Sequence, residues 1–189
     1  RWFSWNTSKN IIPILKVFKN FMRVISGKYK GIKLKKSDNS KIRPTSDRLK
    51  EAIFSIILSE KYSKSISQKK FLDLCSGSGS IGIEAFSRGA GFVCMIDIDY
   101  DAMKLIKKNI QNLNLSEYDN KKILILQDDA TKLKKIDLPN FDFVYIDPPY
   151  KNNAYNKILS NLIKIKIITN QTLILVETGK IIDELHNSF

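Results

Sequence analysis

The chain has 189 residues, 43% of them hydrophobic, and a formal charge of +13 from 32 Lys and Arg against 19 Asp and Glu. That length suits one compact α/β domain with a modest appendage and can bury a core without disulfide or metal staples. A single histidine, His186, and two cysteines without CxxC spacing, Cys75 and Cys94, leave little room for His-based triads, metal sites or a disulfide, and point to reduced thiols in a reducing compartment such as the cytoplasm.

The charge is unevenly placed. Residues 1 to 50 hold 14 Lys or Arg against Asp38 and Asp47, a balance of +12, which leaves +1 for the remaining 139 residues. So concentrated a field attracts a polyanion, and Lys and Arg contacts to phosphate give affinity without sequence choice. Arg1 to Phe21 has no acidic residue, contains Pro13 within an apolar run and shows no strict period, so it is expected to lie outside the fold as a leader or extension. It is too short to span a membrane, Lys16 and Lys19 interrupt any secretory apolar stretch, and its acid-free basic composition also matches an organellar transit segment.

From Arg23 to Leu34, β-branched residues in rough alternation with two glycines predict a basic β-hairpin. Thr45 or Ser46 is placed to cap a helix whose Leu49, Ile53, Phe54 and Ile57 share one side, so residues 22 to 60 form a docking unit packed on the main sheet. Residues 61 to 70 are polar, rich in Ser and Lys, and read as a linker to a catalytic domain over 71 to 189. There the pattern alternates. Strands are expected near 71–74, 92–96, 122–126, 141–146 and 172–176, and helices near 81–88, 102–113 and 155–165. Such alternation implies a doubly wound, mostly parallel sheet whose ligands bind beyond the carboxyl ends of its strands.

Two loops carry chemistry. Leu72-Asp73-Leu74-Cys75-Ser76-Gly77-Ser78-Gly79-Ser80-Ile81-Gly82 places a GxGxxG pattern between the first of these strands and its helix, where Gly77, Gly79 and Gly82 let the backbone turn and a ligand approach. Asp97 ends the next strand, 20 residues after Gly77, where a carboxylate accepts from ribose hydroxyls. NAD and S-adenosylmethionine both satisfy this pattern. Asp73 favours the second, because an acid at that position suits an ammonium and repels a pyrophosphate. Asp129, after the third strand, offers a carboxylate to the adenine amine, and the neighbours Ile98 and Ala130 complete the expected cofactor set.

The second loop is Asp147-Pro148-Pro149-Tyr150, which ends a buried apolar strand. Consecutive prolines remove two donors and fix φ, so the carbonyls of Asp147 and Pro148 are held to accept from an amine and aim its lone pair at a methyl sulfonium. Asp147 stabilises charge developing on that nitrogen, and Tyr150 offers a flat face to an extruded base. No metal is expected. The loop reads only an amine on a flat ring, so guanine, adenine and cytosine remain open at this point.

These residues resemble the bacterial small-subunit ribosomal RNA guanine-N(2) methyltransferases of the RsmD type. The resemblance covers nearly all of Met22 to Glu177. Its narrow marks are Met22-Arg23-Val24-Ile25-Ser26-Gly27 with Tyr29, Lys30 and Gly31, then Arg43-Pro44-Thr45 with Asp47, Arg48 and Glu51. Asp73 to Gly82, Glu84-Ala85-Phe86-Ser87-Arg88-Gly89-Ala90 and Asp147 to Tyr150 follow in the same order. The resemblance implies a Rossmann-like class I methyltransferase fold, S-adenosylmethionine as cofactor, and methylation of the N(2) amine of guanine 966 of 16S rRNA in an assembled small-subunit particle, by a monomer away from any membrane. Arg23, Lys28, Lys30, Lys33, Arg43 and Arg48 are the expected RNA-binding residues. Departures from the family pattern are Asp97, where Glu is usual, and Cys75-Ser76, where an aromatic and alanine are usual. The family also continues past Glu177 through a helix and a terminal hairpin, longer than what precedes Phe189 here, so the sheet is expected to lack its C-terminal strands. Competing expectations are an adenine or cytosine amino-methyltransferase on DNA, a nicotinamide oxidoreductase and, from another class, a catalytically silent RNA-binding module.

Overall fold

In the computed structural model, the described residues are 22–37, 45–61, 65–134, 138–148 and 154–177. Along them run β1 (Met22–Arg23), β2 (Lys33–Leu34), α1 (Asp47–Ile57), β3 (Lys70–Leu74), α2 (Ser80–Ser87) and β4 (Phe92–Asp97). These are followed by α3 (Tyr100–Gln111), α4 (Glu117–Asn120), β5 (Ile123–Gln127), β6 (Phe143–Ile146), α5 (Ala154–Lys164) and β7 (Leu173–Val176). The main sheet is ordered β5-β4-β3-β6-β7 with every neighbouring pair parallel, the doubly wound arrangement expected from the alternation. Phe71, Leu72 and Leu74 are fully buried because helices cover both faces of β3, and the Asp73 between them is buried too.

Side chains alternate between two cores. Phe71, Val93, Met95 and Phe143 point to the face covered by α1, α2, α3 and the segment from Met22 to Leu34. Leu72, Leu74, Cys94, Val144 and Ile146 point to the other, which α5 closes with Ile158, Leu159 and Leu162. Ser46 caps α1 by accepting from Leu49 N at 3.1 Å, and Phe54 of that helix stacks on Phe71 with ring centroids 6.2 Å apart. Burial of each such side chain stabilises by about 1.5–3 kcal/mol. No helix among the described residues is long and apolar enough to cross a membrane.

The N-terminal segment forms the expected hairpin with short strands and a long turn. β1 and β2 pair only at Met22 with Leu34 and Arg23 with Lys33, and the chain between them is turn rather than alternating strand. Its turns pack on α2. Gly27, at φ +81°, lies so close to that helix that a Cβ would stand 1.8 Å from the Ser87 carbonyl oxygen, the same oxygen that accepts from Lys28 N at 2.8 Å. Tyr29 then stacks on Phe86 at 5.7 Å. Close packing against a helix thus overrides strand propensity here.

Two further differences concern connections. The span read as a linker contains Ile66, which is buried, while Gln68 N donates to Gly89 O and Gly91 N to Lys69 O, so residues 65–70 pack on the turn between α2 and β4. The short α4 is absent from the sequence expectations. It is capped by Ser116, and its buried Asp119 accepts from Lys28 Nζ at 2.6 Å and from the Tyr29 hydroxyl at 3.1 Å. Residues 1–21 and 178–189, on which the expectations of a leader and of missing terminal strands fall, lie outside the described residues.

Candidate active site

The carboxyl ends of β3, β4, β5 and β6 lie along one edge of the parallel sheet, and each is followed by a residue expected in the site. After β3 the chain passes through Cys75, Gly77 and Gly79 at φ +59°, +54° and +73°, three left-handed positions that fold the glycine loop tightly back before α2. Glycine meets the second and third without a Cβ penalty; Cys75 adopts the same region as a non-glycine residue. A Cβ on Gly82 would stand 2.6 Å from Met95 Cγ, so this glycine sets how closely α2 approaches β4.

Asp97 fastens the loop. One of its oxygens accepts from Gly77 N at 2.8 Å and the other from Asp99 N at 2.9 Å, which leaves further lone pairs for ribose hydroxyls. Ile98 follows it, 66% exposed, an apolar side chain presented to open space beside a carboxylate, as an adenine face requires. Asp129 accepts from both the amide and the hydroxyl of Thr131, at 2.9 and 2.7 Å, and the hydroxyl holds its carboxyl below the ordinary range. Ala130, next to it, is buried.

Asp73 differs from its expected role. Its carboxylate is 1% exposed and turned into the fold, where it accepts from Gly82 N at 2.9 Å, so it shapes the loop from behind instead of reaching a ligand's ammonium. Burial pushes its carboxyl up from 3.8 to about 8 despite the Gly82 amide. Because the folded value exceeds the unfolded one, this group's contribution to stability is fully present below about pH 3.8 and is lost as the pH rises through about 8. Urea stability is therefore expected to fall across that window. Asp73→Asn keeps an acceptor for Gly82 and should flatten the fall, whereas a wild-type slope in this variant would contradict the assignment.

Asp147 follows β6, half-buried, its amide donating to Leu74 O at 3.3 Å so that the catalytic loop starts in register with the glycine loop. Pro148 is buried; Pro149 and Tyr150 lie outside the described residues. The Cys75 thiol is pushed up to about 12, first by burial and then by Asp97, Asp147, Asp73 and Asp129. A loop ringed by acids and hard against an exposed apolar side chain fits a cationic adenosine ligand. Ser80 Oγ, at the first residue of α2, is buried without a hydrogen-bond partner among the described residues.

Of the expected RNA-binding residues, Arg23, Lys28, Lys30, Lys33 and Arg48 are exposed. Arg23 pairs with Asp47 at 3.1 Å and Lys28 with Asp119 at 2.6 Å, where the hydrogen bond to Asp119 raises the ammonium pKa. Arg43 lies outside the described residues.

Two buried residues that the sequence gave no role join the basic segment to the cofactor loop. Glu84 accepts from Ile25 N and Ser26 N at 2.8 and 2.9 Å and from Arg88 Nε at 2.8 Å. Asn109 on α3 accepts from Lys35 N at 2.6 Å and donates to Ser78 O at 2.9 Å, inside the glycine loop. A signal for Asn109 existed: it occupies the apolar stripe of its helix with Ala102, Ile106 and Ile110, where a polar residue needs buried partners.

The family model described as "Conserved hypothetical protein 95" matches residues 22–188. The ribosomal RNA small subunit methyltransferase D of Haemophilus influenzae is 35% identical, over 86% of this chain and 81% of that one. The protein of the same name from Buchnera aphidicola of Acyrthosiphon pisum is 33% identical, over 83% and 78%. Among solved structures, an Escherichia coli methyltransferase candidate superposes with a TM-score of 0.69 at 26% identity, covering 82% of this chain and 80% of its own. The parallel order, the glycine loop and these likenesses agree, and the chain belongs to the Conserved hypothetical protein 95 family, which includes the RsmD-type methyltransferases, with a Rossmann-like class I methyltransferase fold.

Proposed function

We propose that this chain is an S-adenosylmethionine-dependent methyltransferase acting on the exocyclic N(2) amine of a guanine in small-subunit ribosomal RNA, in the position corresponding to guanine 966 of 16S rRNA. The observation that carries the reading is the glycine loop fastened by Asp97, whose carboxylate accepts from Gly77 N at 2.8 Å and from Asp99 N at 2.9 Å beside the exposed Ile98. Asp97, Asp129 and Asp147, at the carboxyl ends of β4, β5 and β6, favour a ligand with a sulfonium and an ammonium and disfavour one with a pyrophosphate. The names of the relatives support ribosomal RNA as the substrate class.

S-adenosylmethionine supplies the methyl group, carried on a sulfonium leaving group. Asp97 holds the ribose hydroxyls, Ile98 covers one adenine face, and Asp129 with Ala130 meets the adenine edge. Gly77 and Gly79 keep side chains off the loop. Asp73 holds the loop to α2 through Gly82. The target amine donates to the carbonyls at Asp147 and Pro148, which aims its lone pair along the line of transfer; such orientation is the main catalytic effect available here. As the N–C bond formed and the methyl C–S bond broke to release a neutral thioether, the Asp147 carboxylate would stabilise positive charge on the nitrogen until its proton passed to solvent, while Tyr150 would stack on the extruded base.

Residues 22–60 act as the RNA-docking unit and 71–189 as the catalytic domain of one monomeric protein, with Arg23, Lys28, Lys30, Lys33, Arg43 and Arg48 as its phosphate contacts. The reading is tested by transfer of labelled methyl from S-adenosylmethionine to small-subunit particles from a strain lacking the modification. Label in the ribosomal RNA is the expected result, and label confined to DNA or none at all would overturn it.

A further inference from the structure

The first fifty residues do not hold all the accessible cationic surface. An open cavity of about 500 Å³ lies between the turn after β5 and the outer face of α5. Lys132, Lys157 and Lys164 bring three ammonium groups to it, Thr131, Asn156 and Ser160 bring neutral polar groups, and no acidic residue lines it. Lys157 and Lys164 stand two turns apart on α5, both exposed and without a carboxylate partner among the described residues. Lys132, its side chain 82% exposed, lies 3.7 Å from Asp129. A further wall residue, Asn161, donates to Leu133 O at 2.9 Å and so fixes the turn against the helix.

Position gives the cavity its meaning. Thr131 comes two residues after Asp129, and α5 begins seven residues after Asp147, so both walls spring from the sheet edge where cofactor and target amine are placed. The cavity lies on the face that α5 covers, opposite the face that carries the N-terminal segment. A nucleotide turned into the edge would have backbone leaving it on both sides. The N-terminal segment can meet only one of them.

We infer that this cavity is a second phosphodiester-binding site, which holds the RNA strand on the side of the target nucleotide away from the N-terminal segment. The inference rests on the RNA-methyltransferase reading. Phosphates of a single strand would sit among Lys132, Lys157 and Lys164, with Asn156, Ser160 and Thr131 donating to their oxygens. Three such contacts account for a change of about 2 in the slope of log affinity against log salt, at about 0.7 per contact for a single strand.

The test compares the whole protein with a Lys132→Gln, Lys157→Gln, Lys164→Gln variant, titrating small-subunit ribosomal RNA at several salt concentrations. A control variant, Lys69→Gln, Lys70→Gln, Lys166→Gln, removes equal charge from the opposite, amino end of the strands, and thermal unfolding checks that all three proteins fold. The cavity variant is expected to lose affinity on the order of tenfold at low salt and to flatten the salt slope by about 2, with the control close to wild type. An unchanged slope in the cavity variant, or equal losses in both variants, would overturn the second site and leave the RNA reading intact. Absence of RNA binding by the wild-type protein would overturn both.

Discussion

Asp147→Ala is expected to lower the rate of methyl transfer by on the order of 100- to 1,000-fold while leaving the affinity for S-adenosylmethionine nearly unchanged. The separation follows from where Asp147 stands. Asp97 is tied to Gly77 in the glycine loop and Asp129 to Thr131 beyond β5, so in the proposed function the cofactor's ribose and adenine would be met by other strands. Asp147 starts a loop whose amide already continues the ladder from Leu74 and whose next residue is a buried proline. Removal of its side chain takes away the charge facing the developing cation without disturbing the backbone that places it. Single-turnover rates and calorimetric titration of the cofactor measure the two quantities independently. A large loss of cofactor affinity would contradict the assigned role.

Glu84→Ala is expected to cost about 3–5 kcal/mol of stability, measured by urea unfolding. The carboxylate is fully buried, and its loss leaves three donors stranded: the amides of Ile25 and Ser26 and the Arg88 guanidinium. Arg88 also lies over the Phe54 ring at 4.6 Å and near Glu51 at 3.6 Å, but neither contact replaces a buried carboxylate. Because a domain's net stability is only about 5–15 kcal/mol, a loss of that size weakens the whole fold and frees the N-terminal segment first. Faster proteolysis before Gly31 than elsewhere in the chain should accompany it. A change below about 1 kcal/mol would show that the segment is held by its apolar contacts alone.

What the sequence made legible was the periodic and the local. The strands from Lys70 to Leu74, Phe92 to Asp97 and Ile123 to Gln127 are apolar runs bounded by turn residues, and α1 begins at the serine whose hydroxyl caps it. The glycine loop declared itself by spacing, and Asp97 by its distance from Gly77. Contacts between residues far apart in the chain were not legible. Ile25 and Glu84 are 59 residues apart, and Lys35 and Asn109 are 74 apart, so no local pattern pairs them. The short extent of the hairpin strands was not legible for a related reason. Alternation from Arg23 to Leu34 suggests strand, but the Ser87 carbonyl beneath Gly27 bends the chain into turns. Asp73 shows the same limit within the site, since charge and position predicted a ligand contact, and only the fold reveals that its carboxylate faces the Gly82 amide.

The basic segment and the acidic site are one mechanical unit. Asn109 bonds Lys35 on one side and Ser78 on the other, and Ser78 also approaches Met22, so the N-terminal segment rests on the glycine loop. RNA held by residues 22–60 would therefore be positioned against the catalytic edge through buried hydrogen bonds.

The most direct test of the central claim is the chemical identity of the methylated nucleotide. Small-subunit particles from an unmodified strain, incubated with the protein and labelled S-adenosylmethionine, would be digested with nucleases and the products resolved by mass spectrometry. Labelled N(2)-methylguanosine from one site of the small-subunit RNA is the predicted product. Label on adenine or cytosine amines, or guanosine without label in a reaction where the folded protein binds the cofactor, would contradict the account.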